Sequence, residues 1–161
     1  VASVEPESPA SKAGLREGQV LLAMDGRKVV SVQDYRARLK NYGVNDHVVM
    51  TLWHNGKTSD IKIETSVFPM DRAPDMAYTL LGLKVDPQSK AGAVVAMVRK
   101  SGFLDRTGVR PGDVVRQVNE FLIRDPDDFL KAVVKYREQE SVVLLLQRAS
   151  QRYYITVPLR R

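Results

Sequence analysis

Short apolar runs bounded by turn residues predict a chain built mostly of β-strands. In its first part, Asp25-Gly26 and Asn55-Gly56 are dipeptides typical of tight hairpin turns. The apolar runs beside them predict strands at Gln19–Met24, Val48–Trp53 and Ser59–Thr65, the last two forming a hairpin around Asn55-Gly56.

Capping residues predict two helices among these strands. Ser8–Gly14 begins with a Ser-Pro pair and ends with glycine, which is typical of a short helix. Ser31–Tyr42 has a serine at its start, an aspartate three residues later and a glycine directly after it. These features predict a second, longer helix.

The chain repeats itself at a distance of 94 residues without a gap. Gly14 and Gly18 fall on Gly108 and Gly112, and the apolar run that starts at Val48 falls on the run that starts at Val142. Such self-similarity identifies a tandem of two related units. The second copy is therefore predicted to contain a short helix near Phe103–Thr107, a strand at Val114–Asn119, a helix from Asp125 to about Arg137, and strands at Val142–Gln147 and Tyr153–Pro158.

This repeat predicts a first domain at residues 1–65, a linker at 66–77 and a second domain at 78–161. The linker, Ser66–Ala77, has two prolines and little periodicity. Val1 aligns with Val95, so the segment Tyr78–Val94 has no counterpart in the first copy. Val1–Val4 is predicted as a strand that begins abruptly, which favours a first domain truncated at its N-terminus over a natural mature terminus.

The charge pattern indicates a solvated surface. The chain has 161 residues and a formal net charge of +6, and residues 71–161 hold 16 Lys and Arg against 11 Asp and Glu. Acidic residues are interleaved with these cations, and no aromatic and basic platform accompanies them. We therefore expect no nucleic-acid partner. No apolar run is long enough to span a membrane, so no membrane segment is expected in this chain.

The inventory of reactive side chains predicts no catalytic residue, no metal site and no cofactor. Cysteine is absent, which excludes disulfides and thiolate chemistry. The only histidines are His47 and His54, and neither a Gly-rich serine turn nor an HExxH motif accompanies them. We expect that the chain is not an enzyme by itself.

Two motifs carry a resemblance to a known family. Ser8-Pro9-Ala10 leading into Ala13-Gly14-Leu15, and the run Gly108–Val115, resemble the middle of PDZ domains of the bacterial, circularly permuted type. The resemblance implies a mixed α+β, mainly β fold: two PDZ-like domains, each a small, partly open β-barrel or sandwich with two helices. The tandem, with Phe68-Pro69 in its linker and a Leu-Gly-Leu segment after it, resembles the C-terminal region of HtrA/Do-type serine proteases.

That resemblance implies a regulatory module that binds the C-terminal peptides of substrate or unfolded proteins by strand addition, beside a protease domain absent from this chain. It also implies the bacterial cell envelope or periplasm. The alternatives are the PDZ pair of an intramembrane site-2 metalloprotease and a non-proteolytic scaffold module.

The resemblance also implies a peptide site in the second domain. Leu80-Leu81-Gly82-Leu83 resembles the carboxylate-binding loop, with the amides of Leu81, Gly82 and Leu83 converging on the peptide terminus. Leu80–Asp86 is expected as an edge strand beside an open groove, with Phe129 in the core. The first domain keeps only its helix, with Arg38, Leu39 and Tyr42, so its ligand binding is in doubt. The implied peptide-binding residues of the second domain are Leu80, Leu81, Gly82, Leu83, Lys84 and Val85 on one side, and Leu130, Val133 and Val134 on the other.

Overall fold

A computed structural model describes residues 1–159 and divides the chain into two compact units. The first unit is Val1–Val67 and the second begins at Phe68, so the division falls inside the predicted linker. Each unit has its own antiparallel sheet and its own hydrophobic core. The mixed α+β, mainly β fold class is thereby confirmed.

The first unit is a four-stranded sheet in the order β2-β1-β3-β4 with two helices. Its small core is formed by one face of this sheet and centres on Met24, Val48, Met50, Leu52 and Ile63. Its elements are α1 (Pro9–Lys12), β1 (Val20–Met24), β2 (Arg27–Lys28), α2 (Val32–Leu39), β3 (His47–His54) and β4 (Lys57–Glu64).

The second unit has a six-stranded sheet in the order β10-β9-β7-β6-β5, with β8 paired to β7. Its core is larger, and Phe129, Leu83 and Leu144 are completely buried in it. After a 3-10 turn at Met70–Arg72, its elements are α3 (Ala73–Leu81), β5 (Leu83–Val85), β6 (Ala93–Val98), α4 (Phe103–Arg106), β7 (Val114–Val118), β8 (Phe121–Leu122), α5 (Pro126–Tyr136), β9 (Ser141–Arg148) and β10 (Gln151–Pro158).

Equivalent hydrogen bonds in the two units confirm the repeat. Val1 donates to the carbonyl of Gln19 at 2.7 Å and accepts from the N–H of Gly18 at 3.0 Å. Val95 makes the same pair of bonds to Gly112–Asp113, at 2.8 and 2.7 Å. The first unit therefore keeps the first contact of a strand that the second unit has in full as β6.

The two predicted long helices begin at the same kind of cap. The side chain of Ser31 accepts from the N–H of Asp34 at 3.0 Å, and that of Asp125 accepts from the N–H of Asp128 at 2.7 Å. Each cap satisfies a backbone donor that has no partner within its helix. Both predicted helix starts are confirmed.

Three local expectations are wrong. Val1–Val4 does not form a strand, and α2 ends at Leu39, three residues before Tyr42. Residues 66–77 are not an irregular linker, because Ala73–Leu81 is an α-helix. Pro74, one of the two prolines that favoured a linker, lies in the first turn of α3, where no backbone N–H is needed.

A buried aspartate ties together three parts of the second unit. Asp113 is 1% exposed and accepts from Arg148 Nε at 2.6 Å, Tyr153 Oη at 2.7 Å and the N–H of Arg110 at 2.9 Å. Burial alone would raise the pKa of the Asp113 carboxyl, but these donors outweigh it and the pKa is lowered. Burial and the bond to Asp113 raise the pKa of Tyr153 to about 12.

This raised pKa predicts a loss of stability in alkali. Because the folded state favours the neutral phenol, the contribution of Tyr153 is complete below about pH 10, its ordinary pKa, and is lost as the pH rises to about 12. Urea denaturation between pH 9 and 12 should therefore show a steeper fall in stability for the natural protein than for Tyr153→Phe. Tyr154→Phe, at a side chain 69% exposed, is the matched control and should keep the natural slope. Equal slopes for all three proteins would contradict the prediction.

Candidate functional site

β5 is one of the two edge strands of the second unit's sheet, and β10 is the other. β5 pairs only with β6, and the N–H of Arg99 bonds to the carbonyl of Gly82 at 2.7 Å just before it. Beyond the strand, the N–H of Asp86 bonds to the carbonyl of Val94 at 2.8 Å, after a register shift between Lys84 and Val85. Because bonded and non-bonded residues alternate along an antiparallel pair, the N–H and carbonyl groups of Leu83 and Val85 point away from β6. The predicted edge strand is confirmed, although it is only Leu83–Val85 rather than Leu80–Asp86.

Helix α5 faces the core with one side and α3 with another. Phe129 is completely buried, as predicted, and Val133 is 4% exposed and belongs to the same core. Leu130 is half-buried and packs against the core from its margin, and Val134 is also half-buried. Of the three residues predicted for the groove wall, Leu130 and Val134 keep accessible surface.

Helix α3 fills the space that was expected to be an open groove. It packs against both α5 and β5. Its buried residues are Ala73, Ala77 and Leu81, which follow each other at intervals of four and so form one stripe along the helix. The small alanine side chains allow α3 to approach its neighbours closely. The expectation of an open groove does not fit this structure, because residues 73–77 of the predicted linker join the first residues of the predicted second domain in one helix.

The predicted carboxylate-binding loop is also wrong in this conformation. Leu80 and Leu81 lie in the last turn of α3, so the N–H of Leu81 bonds within the helix. The N–H of Gly82 donates to the carbonyl of Tyr78 at 3.0 Å. Three amides were expected to converge on an anion. Those of Leu81 and Gly82 are used in the helix, and only the N–H of Leu83 points away from both the helix and β6.

Gly82 instead ends the helix and reverses the chain. Its backbone is left-handed, with φ 77° and ψ 24°, the conformation that glycine adopts most easily at a helix C-terminus. The reversal lays β5 back along α3. The sequence signal for a glycine with a special conformation was therefore correct, but its role was misassigned.

Two cations hold α3 against the strands. Lys84 Nζ lies 3.2 Å from Asp75 Oδ1 and 5.4 Å from the centre of the Tyr78 ring. The Arg99 guanidinium lies 4.6 Å from the same ring, and its Nη2 donates to the carbonyl of Tyr78. The sequence reasoning missed Asp75, Tyr78 and Arg99. The spacing of Asp75 and Tyr78, three residues apart, is the signal that could have placed them on one helix face.

A small cleft lies at the C-terminal end of α3. Arg99 is its only charged lining residue, and the rest of its wall is apolar or glycine. It therefore offers a single cation beside apolar surface. The cleft is lined by Leu80, Leu81, Gly82, Arg99, Gly102, Phe103, Leu104 and Pro158.

The first unit has no second wall for a groove among its described residues. Its sheet contains β1 to β4 and no counterpart of β5. Arg38 is engaged by Asp34 at 2.7 Å, and the hydroxyl of Tyr42 donates to Asp25 at 2.5 Å. Leu39 packs against the core of the unit. The three helix residues expected to remain from a groove are therefore used in internal contacts.

The histidines lie apart, at the two ends of β3. His47 Nε2 is 3.8 Å from Glu64 Oε2, and both side chains are exposed. Within residues 1–159, no group of three or more His, Asp or Glu side chains is placed to hold a metal ion. In the same part of the chain, no helix is long and apolar enough to cross a bilayer.

Comparison with known proteins accounts for nearly the whole chain. A family model described as "PDZ domain" matches residues 1–65 and 79–159. The chain is 27% identical to the "Probable periplasmic serine endoprotease DegP-like" of Brucella suis, an alignment that covers 100% of this chain and 34% of that protein. It is 25% identical to the "Probable periplasmic serine protease do/HhoA-like" of Haemophilus influenzae, covering 98% of this chain and 34% of that protein. The chain thus spans about a third of the length of these relatives, and the resemblance to HtrA-type proteases is confirmed.

The geometry of Gly82 predicts a graded cost for alanine substitutions. At Gly82 the backbone φ is positive, at +77°, and an added Cβ would also lie 3.3 Å from the Cβ of Arg99. At Gly108 the φ is +87° but nothing lies within 4 Å of the added atom. Gly108→Ala should cost only the backbone strain, about 1–2 kcal/mol, and Gly82→Ala should cost more. Urea denaturation of the two variants tests this order, and equal losses would show that the Arg99 contact relaxes freely.

Proposed function

This chain belongs to the PDZ-domain family, and from that premise we propose that it is the regulatory, peptide-recognising tandem of an HtrA-type serine protease. The second unit binds extended segments of substrate or unfolded proteins, C-terminal segments above all, by strand addition to β5. The protease activity belongs to the parent protein, outside this chain. The names of the relatives support a periplasmic location and favour this reading over the PDZ pair of an intramembrane metalloprotease.

The outer edge of β5 is the observation that carries the proposal. Leu83 and Val85 direct an N–H and a carbonyl away from β6, and no backbone hydrogen bond of the described residues outside the β5–β6 pairing uses these groups. An extended peptide laid beside β5 would pair with them and so extend the sheet. Its side chains would then meet the Leu130 and Val134 side of α5.

Pairing with a short strand gives modest affinity by itself, and the apolar side chains of the ligand supply the remaining binding free energy. β5 offers two outward-facing residues, and α3 lies over them in this structure. We therefore expect a dissociation constant between about 1 μM and 1 mM, or about −8 to −4 kcal/mol. That range suits a module that samples many partners and releases them.

A proline substitution tests strand addition directly. Val85→Pro removes an N–H that points away from β6, a position where an edge strand tolerates proline. Binding of a peptide with an apolar C-terminal residue should weaken at least about tenfold, because the ring removes one donor and obstructs the edge. Isothermal titration calorimetry of the full chain measures the effect.

Val85→Ala is the matched control, because it truncates the same side chain but keeps the N–H. It should bind within about twofold to threefold of the natural protein. Thermal unfolding of both variants checks that the β5–β6 pairing persists. If Val85→Pro is folded and binds the peptide as well as Val85→Ala, the peptide does not add to β5 and the proposed function is wrong.

A further inference from the structure

Helix α3 covers the outer edge of β5 without pairing with it. The backbone groups of a helix bond along its own axis, so α3 can cover Leu83 with side chains but cannot supply donors and acceptors. Leu83 is completely buried nevertheless. An extended segment in the place of α3 would keep the apolar contacts and add the hydrogen bonds that α3 leaves unmade.

The charged contacts of α3 resemble those expected of a ligand. The carbonyl of Tyr78, at the negative end of the helix, accepts from the guanidinium of Arg99. Asp75 provides a carboxylate to Lys84 at 3.2 Å, although its side chain is 85% exposed. Leu80 and Leu81 form one wall of the apolar cleft that Arg99 also lines. Removing α3 would leave two cations beside an open strand edge and would widen the apolar cleft by removing the wall formed by Leu80 and Leu81.

From these contacts we infer that α3 is an intramolecular pseudo-ligand of the site between β5 and α5. The peptide that displaces it carries a carboxylate for Arg99 and an apolar residue for the apolar cleft that Leu80 and Leu81 now line. This inference rests on the proposed function and adds both the regulation of the site and its ligand chemistry. The carboxylate is either the peptide's C-terminus or the side chain of an acidic residue.

Competition between α3 and a peptide lowers the apparent affinity. When only a fraction of molecules have α3 displaced, the apparent dissociation constant is the intrinsic one divided by that fraction. A change that destabilises the docked helix must therefore tighten peptide binding. A merely structural role for α3 predicts the opposite, because loosening the unit would then weaken binding.

Ala77→Glu tests the competition, because it places a charged side chain in the buried stripe of α3. Ala77 is 1% exposed, so a glutamate there cannot remain docked without losing its hydration. Thr79→Glu adds the same charge on an exposed position of the same helix and is the matched control. A fluorescent peptide with an apolar free C-terminus should bind Ala77→Glu at least about tenfold more tightly than Thr79→Glu. Equal or weaker binding by a folded Ala77→Glu would overturn the inference.

A surface variant keeps the test decisive if Ala77→Glu does not fold. Asp75→Lys replaces the attraction to Lys84 with repulsion without entering the core, and Asp71→Lys makes the same charge change in the preceding turn. Since exposed ion pairs contribute little, Asp75→Lys should bind the peptide only about twofold to fivefold more tightly than Asp71→Lys. Hydrogen exchange should show faster exchange in α3 and unchanged protection in β6 and β7. Peptide binding no tighter than that of Asp71→Lys, despite the faster exchange of α3, would also overturn the inference.

Four versions of one peptide identify the source of the carboxylate. Two have glutamate and two have glutamine at one internal position, and each of these is made with a free and with an amidated C-terminus. If amidation abolishes binding, the carboxylate that Arg99 binds is the peptide's C-terminus. If changing glutamate to glutamine abolishes binding, that carboxylate is the glutamate side chain. Arg99→Met should abolish whichever preference is found, while Lys100→Met should retain it. A preference that survives Arg99→Met would remove Arg99 from the site.

The two proposals fail differently. If no variant with a folded second unit binds any of the four peptides, the proposed function is wrong. If peptides bind and Val85→Pro blocks them, but Ala77→Glu and Asp75→Lys bind no more tightly than their controls, strand addition stands and the pseudo-ligand is wrong.

Discussion

The reversal of the chain at Gly82 determines the arrangement of the second unit's functional face. A left-handed residue at the end of α3 sends the chain back along the helix it has just left, so that β5 and α3 lie side by side. That reversal places α3 against the outer edge of β5 and against α5 at the same time. The conformation of Gly82 therefore allows the edge strand β5 to be covered by the helix that precedes it.

Covering the edge with a helix resolves a conflict between stability and recognition. An exposed edge strand invites indiscriminate pairing, and a helix laid over it is one of the devices that prevent this. A helix held through alanines and two half-exposed cation contacts is less firmly fixed than a paired strand. In the proposed function, the same contacts protect the edge and yield it to a segment that offers hydrogen bonds as well as side chains.

The two units also show what one sequence pattern does in different surroundings. The side-chain caps of the long helices and the backbone bonds around Val1 and Val95 are equivalent in both. Yet the second unit alone has the buried Asp113 bonded to Arg148 and Tyr153, and Gln19 is the residue that aligns with Asp113. The shared features are local caps and backbone bonds, and the differences lie where one unit packs more surface than the other.

The sequence by itself determined the features that depend on neighbouring residues. Turn dipeptides, helix caps and the 94-residue repeat are local or self-referential signals, so the elements, the two units and the family could be predicted from them. The edge position of Leu83 and the burial of Phe129 followed from the repeat and the resemblance.

The covering of the groove could not be predicted in this way. Ala73, Ala77 and Leu81 become a buried stripe only because α5 and β5 lie beside them, and the amides of Leu81 and Gly82 are used because the helix continues through Leu81. Tertiary packing therefore decided whether the edge is open, because the apolar surface that α3 buries exists only once the rest of the unit has folded.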